Sequence, residues 1–303
     1  MNSLLPLFAN NLLPIFLVAG TGYLAGKWLK LEVRSLSRVV FYIFSPCLVF
    51  DLLTSSQLSN GDMLRMTGFT VAAVFTVGLL TWIVGRLMKL ERRILAAVMI
   101  CTVAINAGNY GLSLNLFAFG KEALAYASLF FVTSAILTYT VGVVIASMGK
   151  SSLGTSLKGL LKIPTVYATV LALAVVYTGL KLPLALERSV SLLGDASIPG
   201  MLVVLGLQLQ NSHRVLNWRA LSLANGMRLL GGLGVGLVVA GLFGLQGMAY
   251  NAAVLESAMP SAVLSTILAT EYDVEPAFVS TAVFTSTLLS PFTLTPLLLF
   301  LGA

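Results

Sequence analysis

The sequence predicts an all-α polytopic membrane protein in which ten transmembrane helices form two inverted five-helix repeats, with the fourth and ninth helices broken where they cross. Three observations support this prediction. Of the 303 residues, 58% are hydrophobic and 10% are charged, whereas a soluble domain has about 25% charged residues. The apolar residues form runs long enough to cross a bilayer. Two of these runs are interrupted near their middle by asparagine, glycine or proline.

Ten apolar runs have the length of a spanning helix, since ~30 Å of hydrocarbon requires about 20 residues at ~1.5 Å each. Predicted spans 1 to 10 cover residues 4–26, 36–58, 64–85, 94–119, 122–148, 164–181, 187–210, 218–241, 248–270 and 276–301. The first run has no basic residue before Lys27, whereas a secretory signal begins with a basic region. We therefore expect it to be retained as a span.

The Lys and Arg residues predict the orientation in the membrane. Thirteen of the 18 lie in one set of alternate loops and four in the other set, with Arg228 left inside a span. This bias predicts that both termini lie outside the cytoplasm. We expect the chain to be an integral protein of the plasma membrane. The net charge of +7 does not indicate a nucleic-acid partner, because the basic residues form short clusters between apolar runs. We expect membrane lipid to be the surrounding partner.

A glycine- and serine-rich stretch with spaced lysines, residues 150–163, predicts a cytoplasmic linker between a first half, 1–149, and a second half, 164–303. Several segments of the two halves resemble each other at an offset of about 152 residues. For example, YIFSPCLVF (42–50) resembles DASIPGMLV (195–203), which aligns Pro46 with Pro199 as equivalent helix bends. Because each half has five spans, the second repeat would be inverted, as in many secondary transporters.

The two interrupted spans provide the predicted substrate site. Span 4 contains INAGNYGLS (105–113), with polar amides and flexible glycines about 18 Å deep in the bilayer. Span 9 contains LESAMPSAV (255–263), in which proline removes a backbone donor. Two half-helix N-termini would then point at one central point and favour an anion. The predicted substrate-binding residues are Asn106, Gly108, Asn109, Gly111, Ser257, Ala258, Met259, Pro260 and Ser261. The alternative is that both breaks are packing kinks, since glycine and proline are frequent in membrane helices.

Charged residues inside spans are costly and often functional. Four occur here, Asp51, Asp195, Arg228 and Glu256. Arg228 and Glu256 have similar calculated depths, which predicts an ion pair beside the Pro260 break. Arg228 could neutralise a substrate carboxylate, and Glu256, Asp195 or Asp51 could carry a coupling ion. The alternatives are a static Arg228–Glu256 pair, and an Asp51 that only reaches the headgroups.

The sequence predicts neither a cofactor nor a metal site. Cys47 and Cys101 lie inside predicted spans as buried thiols, and the lone His213 lies in a polar segment. No Walker A or HExxH sequence is present. An intramembrane aspartyl protease would need Gly-x-Gly-Asp, and here the residues are Leu192, Leu193, Gly194 and Asp195. The chain is therefore expected not to be an enzyme.

The segments NAGNYGLSLNLFAFGKEALAYAS (106–128) and LESAMPSAVLSTILATEYDVEPAFVS (255–280) resemble the auxin efflux carrier family, which includes plant and bacterial PIN-like members. The resemblance extends over nearly the whole chain. The family's first motif usually ends Gly-Leu-Pro, whereas here it ends Gly111-Leu112-Ser113. The long central loop of the plant members is missing.

The resemblance implies a secondary active transporter of a small organic anion such as a carboxylate. It implies an elevator, in which a transport module (spans 3–5 and 8–10) moves against a scaffold module (spans 1, 2, 6 and 7). A bacterial inner membrane location and a homodimer are further expectations. A channel and a transporter-like receptor are alternatives that the sequence leaves open.

Overall fold

The computed structural model describes residues 4–55, 58–147, 164–210 and 217–303, and this part of the chain is helical with no β-strand. The predicted linker, 150–163, and His213 lie outside the described residues. Seven helices are long and apolar enough to cross a membrane. This confirms a helical protein with several apolar segments.

Eleven helices can be distinguished within these described ranges. Their bounds are α1 Leu4–Leu29, α2 Val33–Ser55, α3 Gly61–Leu87, α4 Arg92–Val103, α5 Ala107–Ala146, α6 Pro164–Thr178, α7 Leu184–Gln208, α8 Trp218–Leu242, α9 Gly247–Ser257, α10 Leu264–Glu271 and α11 Pro276–Leu301. The seven long helices are α1, α2, α3, α5, α7, α8 and α11.

The helix ends differ from the predicted spans in ways that the backbone explains. Predicted span 6 ends at Thr178 rather than at 181, because Gly179 has a positive φ of 66°. The second part of predicted span 4 and predicted span 5 as far as Ala146 form one 40-residue helical run, α5. The run turns sharply at Gly120, where φ is 77° and ψ is −165°, a backbone conformation open to glycine.

Helices α1 and α7 pack with their backbones in close contact. A Cβ atom added at Gly206 of α7 would overlap the carbonyl oxygen of Ala19, and one added at Gly22 of α1 would overlap that of Val203. Small residues allow this approach in membrane helices, where packing rather than water exclusion holds helices together. Gly22 and Gly206 therefore allow the close packing of α1 against α7.

We expect Gly206→Leu to destabilise the protein by about 1–3 kcal/mol or more, because the new side chain forces two backbones apart. Thermal unfolding of the purified protein in detergent measures the effect. Gly20→Leu is the matched control on α1, since a Cβ atom at Gly20 meets nothing within 4 Å. An equal loss of stability in both variants would contradict the close-packing account.

Helices α2 and α7 pack against each other near Pro46 and Pro199. Gly194 packs against the backbone of Cys47 and Leu48, and the Ser197 hydroxyl donates a hydrogen bond to that of Ser45 (3.5 Å). Ser45 lies directly before Pro46, and Ser197 lies two residues before Pro199. The helix type changes immediately before each serine, at a π-helical stretch Val40–Phe44 and at a turn at Ala196. Cys101 is buried as predicted, whereas Cys47 is only partly buried.

Candidate functional site at the helix breaks

Both interruptions predicted from the sequence are present. The first separates α4, which ends at Val103, from α5, which begins at Ala107. The second separates α9, which ends at Ser257, from α10, which begins at Leu264. Each break leaves helix-terminal N–H and C=O groups without intrahelical partners.

The two breaks meet and satisfy part of each other's backbone. Ile105 and Ser261 form an antiparallel bridge. On one side of it, the Asn106 N–H donates to the Pro260 carbonyl (2.9 Å), and on the other the Ala262 N–H donates to the Ala104 carbonyl (2.8 Å). The Ser261 hydroxyl also donates to the Cys101 carbonyl (2.8 Å). Non-helical backbone at membrane depth requires such partners.

The guanidinium of Arg228 binds the carbonyl ends of both broken helices. It donates to the carbonyls of Thr102 (2.5 Å) at the end of α4, Ser257 at the end of α9, and Met259 (2.9 Å). Arg228 is only 1% exposed. Because helix C-termini carry partial negative charge, this cation stabilises the two C-terminal ends together.

The predicted ion pair between Arg228 and Glu256 is wrong. In the described part of the chain, ion pairs within 4 Å join Arg93 to Asp273 and to Glu275, and none joins Arg228 to Glu256. One Glu256 oxygen instead accepts a hydrogen bond from the Asn115 side-chain amide (2.9 Å). The sequence placed the two charges at one depth, but depth does not determine the direction in which a side chain points.

A cavity of about 690 Å³ lies on one side of the crossing. Its walls come from α2, α5, α7, α10 and α11, and its floor includes Ile105 and Asn106. The polar and basic side chains that line it are Arg34, Ser37, Arg38, Tyr42, Ser45, Asn106, Asn109, Ser134, Thr138, Tyr139, Gln208, Thr266 and Ser280. Among the residues that the structure describes, no aspartate or glutamate lines this cavity.

The predicted site residues divide between the cavity and the protein interior. Asn106, Gly108 and Asn109 line the cavity. Gly111 lies against the Glu256 carboxylate, and Arg228 and Ser257 border a separate cavity of about 10 Å³. The residues Ala258, Met259, Pro260 and Ser261 are buried behind the crossing. The wall at this second break is formed instead by Ala262, Val263 and Leu264.

The cavity wall contains three buried polar atoms with no hydrogen-bond partner. They are the Asn106 amide nitrogen, the Ser37 hydroxyl and the Gln208 amide oxygen. Buried polar groups are nearly always paired, so each of these atoms lacks the partner that such a group ordinarily has. Asn106 can be predicted, because an asparagine in an apolar run is conspicuous. Sequence reasoning misses Ser37 and Gln208, because each lies near a helix end where polar residues are common.

The ends of the broken helices are arranged by polarity. The C-terminal carbonyls are bound by Arg228, whereas the N-terminal first turns, at Gly108 and Asn109 on α5 and at Val263 and Leu264, line the cavity. Helix N-termini carry partial positive charge. The exposed Arg34 and Arg38 add two full positive charges to the same cavity. This arrangement is suited to an anion.

Asp51 and Asp195 lie away from this cavity. Asp51 is partly buried and Asp195 is exposed, and the two carboxylates are close enough to interact electrostatically near the α2–α7 crossing. Neither borders the 690 Å³ cavity. The structure therefore brings these two predicted ion-coupling residues to each other, and not to Asn106 or Glu256.

Comparison with known proteins identifies the family. The family described as "Membrane transport protein" matches residues 7–298. An uncharacterized transporter of Methanocaldococcus jannaschii is 26% identical over 269 residues, 86% of each chain. Auxin efflux carrier component 1 of Arabidopsis thaliana is 33% identical over 119 residues, which are 38% of this chain and 19% of the plant protein. This family consists of transporters and not of enzymes. The chain therefore belongs to the auxin efflux carrier family of membrane transport proteins.

Proposed function

We propose that this transporter is a secondary carrier that moves an organic anion, a carboxylate, with its binding site in the cavity at the helix breaks. One observation carries this proposal. Asn106, a residue that is 3% exposed, borders a cavity that has two helix N-termini and two arginines and no acidic residue among those described, and its side-chain amide nitrogen has no hydrogen-bond partner there. A carboxylate supplies the acceptor and the charge that this surface lacks.

Inverted repeats are supported by the positions that pair across the two halves. Ser45 and Ser197, which share a hydrogen bond, lie one and two residues before Pro46 and Pro199, the prolines that align when the two halves of the sequence are compared. The reciprocal hydrogen bonds around Ile105 and Ser261 join the break in the first half to the break in the second half. We infer ten crossings of the membrane, with α9 and α10 as two halves of one span.

The orientation inferred from Lys and Arg makes this cavity open to the cytoplasm. Arg34 and Arg38 belong to the basic set of loops, and they lie on the cavity wall. Both termini would then be outside. The structure would represent the inward-facing state of a carrier that alternates between two sides of the membrane.

The two sources of the cavity wall support an elevator mechanism. Phe41 and Met201 come from α2 and α7 of the inferred scaffold module, whereas Asn106, Phe131 and Phe284 come from α5 and α11 of the inferred transport module. The close α1–α7 contact supports a rigid scaffold. A substrate held by Asn106 would move with the transport module past α2 and α7.

The lining favours a carboxylate with an apolar or aromatic body. Five aromatic residues line the cavity, namely Phe41, Tyr42, Phe131, Tyr139 and Phe284. Ligand sites of several hundred Å³ bury apolar bodies and orient them with few polar groups. A dicarboxylate without an apolar body would leave most of this surface without a matching partner.

A thermal-shift screen tests the proposal. The purified protein is heated with mono- and dicarboxylates, including indole-3-acetate, phenylacetate and malate, and with the amides of the two aromatic acids as uncharged controls. A ligand that binds the native state raises the unfolding temperature in a concentration-dependent way. We expect aromatic acids, and not their amides, to give this shift. Shifts from the amides alone would contradict the anion assignment.

We expect the double variant Arg34→Gln/Arg38→Gln to bind the carboxylate several-fold more weakly and with a smaller dependence on ionic strength, because both charges face the cavity and remain accessible to salt. Titration at two salt concentrations measures the effect. The control is Arg65→Gln/Lys121→Gln, which removes two exposed charges from the other set of loops. Equal weakening in both double variants would show that only the overall charge matters.

A further inference from the structure

We propose that Glu256 carries a proton that is cotransported with the carboxylate, so that the carrier is coupled to protons. This proposal rests on the proposed function and names the coupling ion. It starts from a feature that the cavity does not explain, a carboxylic side chain that is 0% exposed at the end of a broken helix.

Among the described residues, the Glu256 carboxyl group has one hydrogen-bond donor and no cation within ion-pair distance. Its Oε1 atom accepts from the Asn115 amide nitrogen (2.9 Å), and the same nitrogen donates to the Gly111 carbonyl (2.9 Å). Its Oε2 atom has no partner among the described residues, and neither has the amide oxygen of Asn115. Burying an ionised carboxylate without a counter-ion is very costly. A proton on the carboxyl group removes this cost.

The charged and polar groups on neighbouring helices do not give the Glu256 carboxylate a counter-ion in place of a proton. Arg228 on α8 is the cation buried at this crossing, and its guanidinium is held by the carbonyls of Thr102, Ser257 and Met259. Tyr110 on α5 accepts a hydrogen bond from Ser290 of α11. Neither forms an ion pair or a hydrogen bond with Glu256.

The packing favours a proton over a metal cation. A Cβ atom added at Gly111 would overlap both carboxyl oxygens of Glu256, so the side chain lies directly on the α5 backbone. A sodium ion would need several oxygen ligands and the space to hold them, whereas a proton needs one oxygen and no volume. Among the described residues, this contact has two side-chain oxygens without a partner, one on Glu256 and one on Asn115. These are fewer than the several oxygen ligands that a sodium ion needs.

The position of Glu256 explains how the proton could be linked to the substrate. Gly111 and Asn115 lie in the first turns of α5, the helix whose N-terminus presents Asn106 and Asn109 to the cavity. Neutral Glu256 packs against this helix in the closed crossing. Loss of the proton to water leaves a carboxylate that must become hydrated, which requires the crossing to open. One monocarboxylate and one proton then move together without net charge.

Infrared spectroscopy tests the protonation state without any substrate. We expect the protein in liposomes at neutral pH to show a protonated carboxyl C=O band that is absent in Glu256→Gln and that shifts in frequency in Asn115→Ala. The control, Glu122→Gln, replaces an exposed glutamate at the start of predicted span 5 and should leave the band unchanged. A spectrum without this band in the unmodified protein would overturn the proposal.

Transport assays in proteoliposomes test coupling, with radiolabelled indole-3-acetate or malate as the probe. We expect a pH gradient to drive accumulation by the unmodified protein and by Glu122→Gln. Glu256→Gln, which mimics the protonated acid, should retain exchange of labelled for unlabelled probe and lose accumulation driven by the gradient. Retained exchange demonstrates a folded variant.

Other outcomes distinguish a failure of the proposed carboxylate transport from a failure of the proposed proton coupling. If the unmodified protein neither exchanges nor accumulates either probe, and binds none of the acids in the thermal-shift screen, the proposed function fails, while the infrared band still reports on Glu256. If Glu256→Gln accumulates the probe in response to the pH gradient, or if a sodium gradient drives the unmodified protein, the coupling proposal is overturned.

Discussion

Asn106→Ala is expected to abolish carboxylate binding and transport while the protein unfolds at an unchanged or higher temperature. The side-chain nitrogen of Asn106 has no partner among the described residues, so its removal breaks no internal hydrogen bond and relieves a desolvation penalty of about 1–3 kcal/mol. The backbone N–H of Asn106, which binds the Pro260 carbonyl, is kept. Thermal shift and uptake, measured on the same preparation, check both parts of the expectation.

Two variants sharpen this test. Asn106→Asp has nearly the same shape but replaces the donor by a negative charge, so it should also fail to bind an anion. Asn251→Ala is the control, because Asn251 lies on α9 away from the cavity and its amide donates to the Leu301 carbonyl (3.3 Å). Carboxylate binding that survives both substitutions at Asn106 would move the substrate site away from the first break.

Arg228→Met is expected to destabilise the protein severely, by more than about 3 kcal/mol. The variant keeps an unbranched, flexible side chain but leaves three buried carbonyls without their donor, and each unsatisfied group costs about 1–3 kcal/mol. Two of these carbonyls, from Thr102 and Ser257, lie at helix C-termini, where the helix dipole adds to the effect. Thermal unfolding and the yield of monodisperse protein in detergent are the measurements.

Further variants distinguish a structural role of Arg228 from a role in substrate binding. Arg228→Lys should be intermediate, because one ammonium group cannot reach three carbonyls as the planar guanidinium does. Arg219→Met, at the exposed start of α8, is the control and should change little. If Arg228→Met were stable but could not bind the carboxylate, Arg228 would be a substrate residue, as its place inside an apolar span suggests.

The sequence alone determined the class of the protein and the places where its helices break. Ten apolar runs, the low share of charged residues and the two motifs around Asn106 and Pro260 are local features, and local features can be seen without a structure. They predicted helices, interruptions and family, and these agree with the structure and the comparisons. The resemblance of the two halves aligned Pro46 with Pro199, and the serines close before these prolines, Ser45 and Ser197, lie in contact.

Only the tertiary structure decided which residues face which. Arg228 and Glu256 have similar calculated depths, yet one binds the carbonyls of two helix ends and the other contacts Asn115, because the direction of a side chain depends on the rotation of its helix and on its neighbours. Residues 257–261 do not line the 690 Å³ cavity, and Ala262 to Leu264 line it instead. Ser37 and Gln208 join Asn106 in one cavity through the packing of α2 and α7 against α5, a relation between distant segments that no local sequence pattern contains.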